Sequence, residues 1–208
     1  MLISLAKTPP PTRDSKEEAI IEAARTTFLA NGYDGASMDE IALAAGVSKR
    51  TVYNRFRSKE ELFAAAIDEM CRRILPVDMA AIEASRTTEQ FVNEMAHAFL
   101  RGVLEPDALA LRRIAAFEAG RNAALGRTYL EHGPAYMAAT FAPALERAAK
   151  REGIKIDDVE TAIYQLGALI SEPLYTEMLL GATPDNLDAA IDTQIASGLE
   201  AFWRIYGK

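Results

Sequence analysis

The sequence contains one cysteine and two histidines among its 208 residues, which excludes several kinds of site. Cys71 alone cannot form an internal disulfide or a cysteine-based zinc site. His97 and His132 lack the close spacing of two metal ligands on one helix. No glycine-rich phosphate loop, nucleophile elbow or dinucleotide fingerprint is present. We therefore expect no metal, no cofactor and no enzymatic activity.

Long hydrophobic runs are also missing. No uninterrupted apolar run approaches the ~18 residues that a membrane span needs. The apolar start Met1–Leu5 is interrupted by Lys7 and then by Pro9–Pro11, well short of a signal-peptide core. A single cysteine suits a reducing compartment. These features predict a cytoplasmic protein without membrane contact. Residues 1–14 are expected to form a flexible N-terminal arm.

Charge is unevenly distributed along the chain. The net charge of −7 argues on its own against a polyanionic partner. Residues 1–60, however, carry nine basic and eight acidic side chains, whereas residues 61–208 carry fourteen and twenty-two. Segment 48–59 has five basic residues and no acidic one. Because a local basic patch matters more for nucleic-acid binding than overall charge, this segment is either a DNA-binding surface or a solvated helix face.

Almost the whole sequence after Ser15 has the apolar periodicity of helices. Apolar residues recur at three- and four-residue steps, and no alternating β-branched segment indicates a strand. A hydroxyl residue followed three positions later by Glu or Gln predicts capped helix starts at Ser15, Ser37, Ser58 and Thr87. We predict an all-α fold with a break at Pro76 and helices over 15–30, 37–45, 48–56, 59–74, 88–104, 107–119, 122–131, 134–151, 157–180 and 184–206.

Glycine and proline positions predict where helices end. Gly32 and Gly46 are expected in left-handed conformations after helix ends. Gly133-Pro134 is expected to separate two helices. Pro143 and Pro173 fall inside predicted helices, so each marks either a kink or a boundary.

Two short predicted helices joined at Gly46–Val47 carry the first group of candidate functional residues. Their apolar positions predict a small core of Met38, Ile41, Ala42, Ala45, Val47, Val52 and Phe56. The remaining face of the second helix is basic, amide-bearing and aromatic, and consists of Lys49, Arg50, Tyr53, Asn54 and Arg57.

A short helix with such a face fits the major groove of B-DNA. Arg or Lys can pair there with guanine and Asn with adenine. The hydroxyls of Thr51 and Tyr53 suit phosphate oxygens, and Lys59 lies in the first turn of the next predicted helix, where an anion is favoured. The alternative is a small helical hairpin with a solvated basic face.

The segments 28–33, 37–42 and 46–63 resemble the DNA-binding domain of the TetR/AcrR family of bacterial transcriptional regulators. The resemblance implies a helix-turn-helix domain over 15–63, followed over 64–208 by an effector-binding and dimerisation domain. By position it assigns base contacts to Lys49, Arg50, Thr51 and Asn54, and phosphate contacts to Ser37, Tyr53 and Lys59. Segments 111–122 and 126–137 resemble a subgroup with an AefR-like C-terminal domain.

The last two long predicted helices carry broad apolar surfaces. A helix that is apolar over so much of its circumference needs cover on more than one side. Pairing both helices with their copies in a second subunit would form a four-helix bundle; the alternative is packing within one subunit. The predicted dimer interface comprises Ile163, Leu166, Ile170, Leu174, Leu187, Ile191, Ile195, Gly198, Leu199 and Phe202.

Aromatic and methionine residues on the intervening helices are candidates for an effector pocket. Met adapts its shape and suits permissive apolar pockets, although it fills ordinary cores as readily. The candidate pocket residues, which would accept a small apolar or amphipathic effector, are Met95, Phe99, Phe117, Tyr129, Tyr136, Met137, Phe141 and Tyr164.

Together these features predict a homodimeric DNA-binding regulator. A repressor released from double-stranded operator DNA by a small molecule fits best. Two alternatives remain at this point: a transcriptional activator or ligand-independent DNA binder, and a helical small-molecule-binding protein or enzyme that no longer binds DNA.

Overall fold

The computed structural model describes residues 14–74, 84 and 86–207, and every regular element in that part of the chain is helical, which confirms the predicted all-α class. None of the described helices is both long and apolar enough to cross a membrane. Two predictions, the break at Pro76 and the arm before Asp14, lie outside the described residues. The helices are α1 (Ser15–Gly35), α2 (Met38–Ala44), α3 (Lys49–Arg55), α4 (Lys59–Ile74), α5 (Thr88–Val103), α6 (Pro106–Ala119), α7 (Ala123–Leu130), a π-helical segment (Glu131–Ala135), α8 (Tyr136–Arg151), α9 (Val159–Ser171), α10 (Leu174–Leu179) and α11 (Leu187–Tyr206).

Two of the four predicted capping boxes are complete. The Ser37 and Thr87 side chains each accept from the backbone N–H three residues on, and Glu40 and Gln90 accept in return from the cap N–H. The Ser58 hydroxyl accepts from the N–H of Glu61, whose carboxylate instead accepts from the N–H of Arg57 at 2.6 Å. Helix α1 is capped by Asp14 and not by Ser15, because the aspartate carboxylate accepts from the N–H groups of residues 16 and 17.

Prolines and glycines interrupt the helices less uniformly than predicted. The single helix predicted over 157–180 is wrong, because Pro173 separates α9 from α10. The predicted separation at Gly133-Pro134 is also wrong, since a π-helical segment connects α7 to α8 there. Pro143 lies inside α8. Gly46 has a φ angle of 65°, as predicted for a residue after a helix end. Gly32 also has a positive φ, 70°, but its ψ of 179° is not left-handed helical, and it forms a kink inside α1 and does not follow the helix.

The chain divides into two compact units, and the described part of the first comprises residues 14–72 and 110–136. Its core contains the fully buried side chains of Ile20, Phe28, Ile41, Leu62 and Phe63. The Phe28 and Phe63 rings meet edge-to-face with centroids 5.3 Å apart. Burying one such aromatic side chain contributes roughly 1.5–3 kcal/mol. This packing fixes α1 and α4 around the short helices α2 and α3.

The described part of the second unit comprises residues 73–74, 84, 86–109 and 137–207. Helix α11 packs on α9 and α5, and Phe91, Leu100, Leu145 and Phe202 are fully buried. The hydroxyl of Thr88 donates to the Ala148 carbonyl at 2.8 Å, which ties the start of α5 to α8. The functional boundary after residue 63 stays a prediction.

Candidate nucleic-acid interface

Helices α2 and α3 form a tight helix-turn-helix in the first unit. The Val47 N–H donates to the Ala42 carbonyl at 3.1 Å, and Gly46 takes the positive φ that this turn needs. Val52 is fully buried and Phe56 is 6% exposed. These two apolar anchors fix which side of α3 faces the core.

The opposite side of α3 is exposed to solvent. Arg50 and Asn54 are exposed, Tyr53 is 50% exposed, and Arg57, two residues beyond the end of α3, is exposed as well. Within the described residues, the side chains of Arg50, Asn54 and Arg57 have no hydrogen-bond or ion-pair partner. Because these three polar side chains have no role within the chain, their donors are available to an external ligand.

Lys49 and Thr51 differ from their neighbours because both have internal partners. The Lys49 ammonium forms an ion pair with the Asp39 carboxylate on α2, and both side chains are more than half exposed. The Thr51 hydroxyl lies 2.8 Å from the hydroxyl of Ser48, whose side chain also caps α3 by accepting from the Thr51 N–H. The predicted base contacts of Lys49 and Thr51 would therefore require these contacts to be shared or exchanged.

Arg55 connects α3 to the start of α1, a role that the periodicity of the sequence did not reveal. Its guanidinium contacts the carboxylates of Asp14 at 2.6 Å and of Glu17 at 3.4 Å. The Glu17 N–H and the Arg55 guanidinium, in that order, hold the pKa of Asp14 below its usual value. In the sequence, the contact could be suspected only from the acids Asp14 and Glu17 at a helix start and from Arg55, 38 positions after Glu17.

Lys59, at the start of α4, already forms hydrogen bonds to the end of α1. Its ammonium donates to the Tyr33 and Ala36 carbonyls at 2.6 and 3.1 Å and lies 4.5 Å from the centre of the Tyr33 ring. Burial, followed by the charges of Glu60, Asp34 and Glu118, raises the pKa of Tyr33 to about 12. The Lys59 ammonium thus compensates the partial negative charge of the carbonyl groups at the end of α1. Its phosphate contact stays a prediction.

Ser37 is also engaged within the chain. Its hydroxyl donates to the Glu40 carboxylate at 2.9 Å and accepts from the Glu40 N–H at 3.2 Å. The predicted phosphate contact of Ser37 is untested by this geometry, as is that of Tyr53, whose ring is half exposed.

Most of the predicted dimer interface is buried within a single chain. Ile163 and Leu187 are half-buried and keep some surface. A side chain that one subunit already covers has little area left for a second. The residues buried within the single chain are Leu166, Ile170, Leu174, Ile191, Ile195, Gly198, Leu199 and Phe202.

The predicted effector-pocket residues fall into both compact units. In the first unit, Tyr136 is buried, Tyr129 is half-buried and Phe117 is 63% exposed beneath the Arg121 guanidinium. In the second unit the structure buries Met95, Met137 and Phe141 and leaves Phe99 and Tyr164 half-buried. An open groove between α5 and α11 is lined by none of these residues; its walls include Glu89, Asn93, Ala196, Glu200 and Trp203.

No group of three or more His, Cys, Asp or Glu side chains in the described part of the chain is arranged to hold a metal ion. The exposed side of α3 carries cationic, amide and hydroxyl groups. Such groups bind phosphates and base edges through charge and hydrogen bonds.

Two segments of the chain match known protein families. Residues 20–66 match the family described as bacterial regulatory proteins of the tetR family. Residues 90–208, more than half of the chain, match the C-terminal domain described as AefR-like transcriptional repressor.

Individual proteins agree with these matches. The chain is 32% identical over 102 residues to the HTH-type transcriptional activator FasR of Mycolicibacterium smegmatis, covering 49% of this chain and 46% of that protein. The chain spans less than half the length of the curated relatives it matches.

Solved structures match over nearly their whole length. The flavonoid-responsive regulator FrrA shares 34% identity with a TM-score of 0.71 over 91% of this chain and 96% of its own. A TetR transcriptional regulator from Agrobacterium tumefaciens shares 27% identity with a TM-score of 0.74 over 94% and 96%. The family consists of regulators and not of enzymes. The chain therefore belongs to the TetR family and is a DNA-binding transcriptional regulator with an AefR-like C-terminal domain.

Proposed function

We propose that the protein is a repressor that binds a palindromic operator as a homodimer and leaves it when a small molecule binds. The observation that carries the proposal is the exposed surface of α3 and of the residues just after it, where the side chains of Arg50, Asn54 and Arg57 have no partner among the described residues. Because the operator is bacterial DNA, we propose that the protein acts in the cytoplasm.

Helix α3 is proposed to enter the major groove. Arg50 suits the O6 and N7 acceptors of guanine, and Asn54 suits the N6 and N7 atoms of adenine. Lys49 and Thr51 complete the proposed base contacts. Ser37, Tyr53 and Lys59 are proposed to contact phosphates, which fix the register without reading sequence.

The homodimer is proposed to form through the outer faces of α9 and α11. Ala168 on α9 and Ser197 on α11 are exposed, and Ala190 and Ala201, on the same side of α11 as Ser197, are half-buried. Small side chains allow helices of two subunits to approach closely. Two copies would then present their α3 helices to successive major grooves, about 34 Å apart.

Sedimentation of substituted proteins tests this interface. Ala168→Glu places an unpaired charge between the proposed partner helices and is expected to yield monomers, because burying such a charge is costly. Ala196→Glu, in the groove between α5 and α11, is the matched control and should remain dimeric. An Ala168→Glu protein that sediments as the wild-type dimer would move the interface elsewhere.

The effector is proposed to be a small apolar or amphipathic molecule. FrrA, which resembles this chain over nearly its full length, is described as flavonoid-responsive, and flavonoids are amphipathic aromatic molecules. DNA and effector must weaken one another equally, because coupling between two sites is reciprocal.

Genomic footprinting of the purified protein tests the proposed function. A set of protected palindromes is expected for the wild type, and Arg50→Ala/Asn54→Ala should abolish it. Arg204→Ala, which removes an exposed cation of α11 paired with Glu200, is the control and should preserve the footprints. A wild-type protein that protects no sequence would contradict the proposal.

A second candidate function, transcriptional activation, is favoured by the similarity to FasR, which is described as an activator. Promoter–reporter fusions at the footprinted sites separate the two candidates. Deletion of the gene should raise expression if the protein represses and lower it if the protein activates.

A further inference from the structure

An acidic side chain contacts the basic face of α3. The carboxylate of Asp39, on α2, forms the ion pair with Lys49, and the two side chains are 55% and 64% exposed. The neighbouring Glu40 carboxylate is already bound to the Ser37 N–H and hydroxyl. Asp39 is thus the acid of α2 that modifies the chemistry of the exposed face.

The fold has little need of this ion pair. Exposed pairs between a lysine and a carboxylate contribute little to stability, because water screens them and two side chains lose freedom. A carboxylate beside a DNA-binding surface also repels phosphates, whose neutralisation provides most of the sequence-independent affinity. Asp39 lies in the first turn of α2, where a carboxylate stabilises the helix modestly. Because it also lowers affinity for DNA in general, its position at the exposed face points to a role in discrimination.

We propose that Asp39 is a specificity-determining residue of the DNA interface and reads one G·C base pair together with Lys49. The inference rests on the proposed DNA-binding role of α3. The ion pair presents a donor and an acceptor side by side. A G·C pair offers the complementary pattern in the major groove, with guanine O6 and N7 for the ammonium and the cytosine amino group for the carboxylate.

The same ion pair rejects other sequences. At an A·T pair the carboxylate would face the thymine O4 acceptor and methyl group in place of an amino donor. At random DNA it faces phosphates without a compensating contact. Repulsion of unwanted partners separates affinities as effectively as attraction of the wanted one.

Selection from a randomised DNA pool tests Asp39 directly. Asp39→Asn retains the shape of the side chain and removes its charge. We expect a loss of the G·C preference at one symmetric pair of positions. We also expect tighter binding to random DNA, so that the ratio of operator to random affinity falls about fivefold or more. Asp185→Asn, at an exposed site in the other compact unit, makes the same change in net charge and should retain the wild-type consensus and ratio.

Combination with Lys49→Ala shows whether the two residues act as one unit. In the Lys49→Ala background, Asp39→Asn should alter the consensus much less than it does in the wild type. Thermal unfolding of Asp39→Asn should differ only slightly from the wild type, because an exposed ion pair and an acid in the first turn of a helix each contribute little, and this separates recognition from folding. An Asp39→Asn protein with the wild-type consensus and affinity ratio would overturn this inference alone. A wild-type protein that selects no consensus would overturn the proposed function and this inference with it.

Discussion

At the level of single side chains, Arg50 and Lys59 differ in the contacts that they make within the chain. Arg50 is exposed on α3 and has no partner in the described residues, so its donors are free for a base edge. Lys59 donates to carbonyl groups at the end of α1. Substitution of Arg50 should therefore affect DNA binding alone, whereas substitution of Lys59 should affect folding as well.

Arg50→Ala is expected to cost about 1–3 kcal/mol of binding free energy on the preferred operator. The choice of base should relax at one symmetric pair of positions, because a bidentate contact to guanine is lost. Selection from a randomised operator pool measures both effects. Recovery of the wild-type consensus at every position would mean that Arg50 contacts the backbone.

Lys59→Ala is expected to lower the free energy of unfolding by about 1–3 kcal/mol, because charge-assisted hydrogen bonds to part-buried carbonyls are lost. Urea unfolding followed by circular dichroism measures the change. Arg57→Ala, two positions earlier and exposed without a side-chain partner among the described residues, is the matched control and should unfold like the wild type. Equal stability of the two variants would show that the contacts of Lys59 contribute nothing.

The Cys71 thiol is expected to be unreactive in the folded protein. Burial, reinforced by the charge of Asp68, raises its pKa from 9.0 to about 12. The thiolate is the reactive form, so alkylation at pH 8 should be far slower in the native than in the urea-unfolded chain. Comparable rates in both states would contradict the buried position.

The same pKa shift gives stability a definite dependence on pH. Between pH 9 and 12 the unfolded chain has lost the thiol proton that the folded chain keeps. The contribution of Cys71 to the free energy of unfolding should therefore fall as pH rises through this range. Comparison with Cys71→Ala, which lacks the group, isolates the contribution; parallel pH profiles would contradict it.

At the level of helices, α9 and α11 of the second unit approach each other closely at Gly198. A Cβ atom added there would lie 2.5 Å from the Leu169 carbonyl oxygen and 2.8 Å from the Ile170 Cα. Gln194 strengthens the crossing by donating to the Leu169 carbonyl at 3.0 Å. Because backbone atoms oppose the added carbon, no side-chain rotation can relieve the clash.

Gly198→Ala should therefore destabilise the protein by about 1–3 kcal/mol. Gly167→Ala on α9 is the matched control, since a Cβ at that position meets nothing within 4 Å. It is expected to stabilise by about 0.5–1 kcal/mol through its better helix propensity. Thermal unfolding of the two variants should shift in opposite directions; a shift in the same direction would contradict the close packing.

Local rules predicted the helices well because their signals are carried by neighbouring residues. The boxes at Ser37 and Thr87 and the positive φ of Gly46 each depend on a few adjacent positions. The cap of helix α1 lies one residue before the predicted Ser15, since the Asp14 carboxylate accepts from the first N–H groups of the helix and also pairs with Arg55. The break at Pro173 was foreseen only as one of two outcomes, because sequence alone does not distinguish a kink from an end.

Contacts between distant residues were much less predictable. The apolar stripe through Ile191 and Ile195 correctly indicated a buried surface, but periodicity does not say which helix covers it. Within one chain, α9 and α5 do so. The attachments of Arg55, Lys59 and Lys49 were missed for the same reason: each joins residues far apart in sequence through a long side chain with many conformations.

At the level of the whole molecule, the protein carries a net charge of −7, whereas segment 48–59, which includes α3, is basic. DNA affinity must then come from local contacts against an unfavourable overall charge. The logarithm of the operator association constant is expected to fall linearly with the logarithm of salt concentration, with a slope of about 0.9 per phosphate neutralised. Fluorescence anisotropy between low and physiological salt measures this slope. An operator complex indifferent to salt would refute the proposed phosphate contacts.

Helix α3 is held in its final conformation by the rest of its own unit. Ser48 caps its start, Val52 is fully buried and Arg55 is bound to the carboxylates of α1. A recognition segment that folds only on its target buries extra apolar area and gives a large negative heat-capacity change. Since α3 is already folded, calorimetry of operator association should report only the surfaces that meet. The heat-capacity change of binding should then be no larger than the apolar area of the two contacting surfaces accounts for.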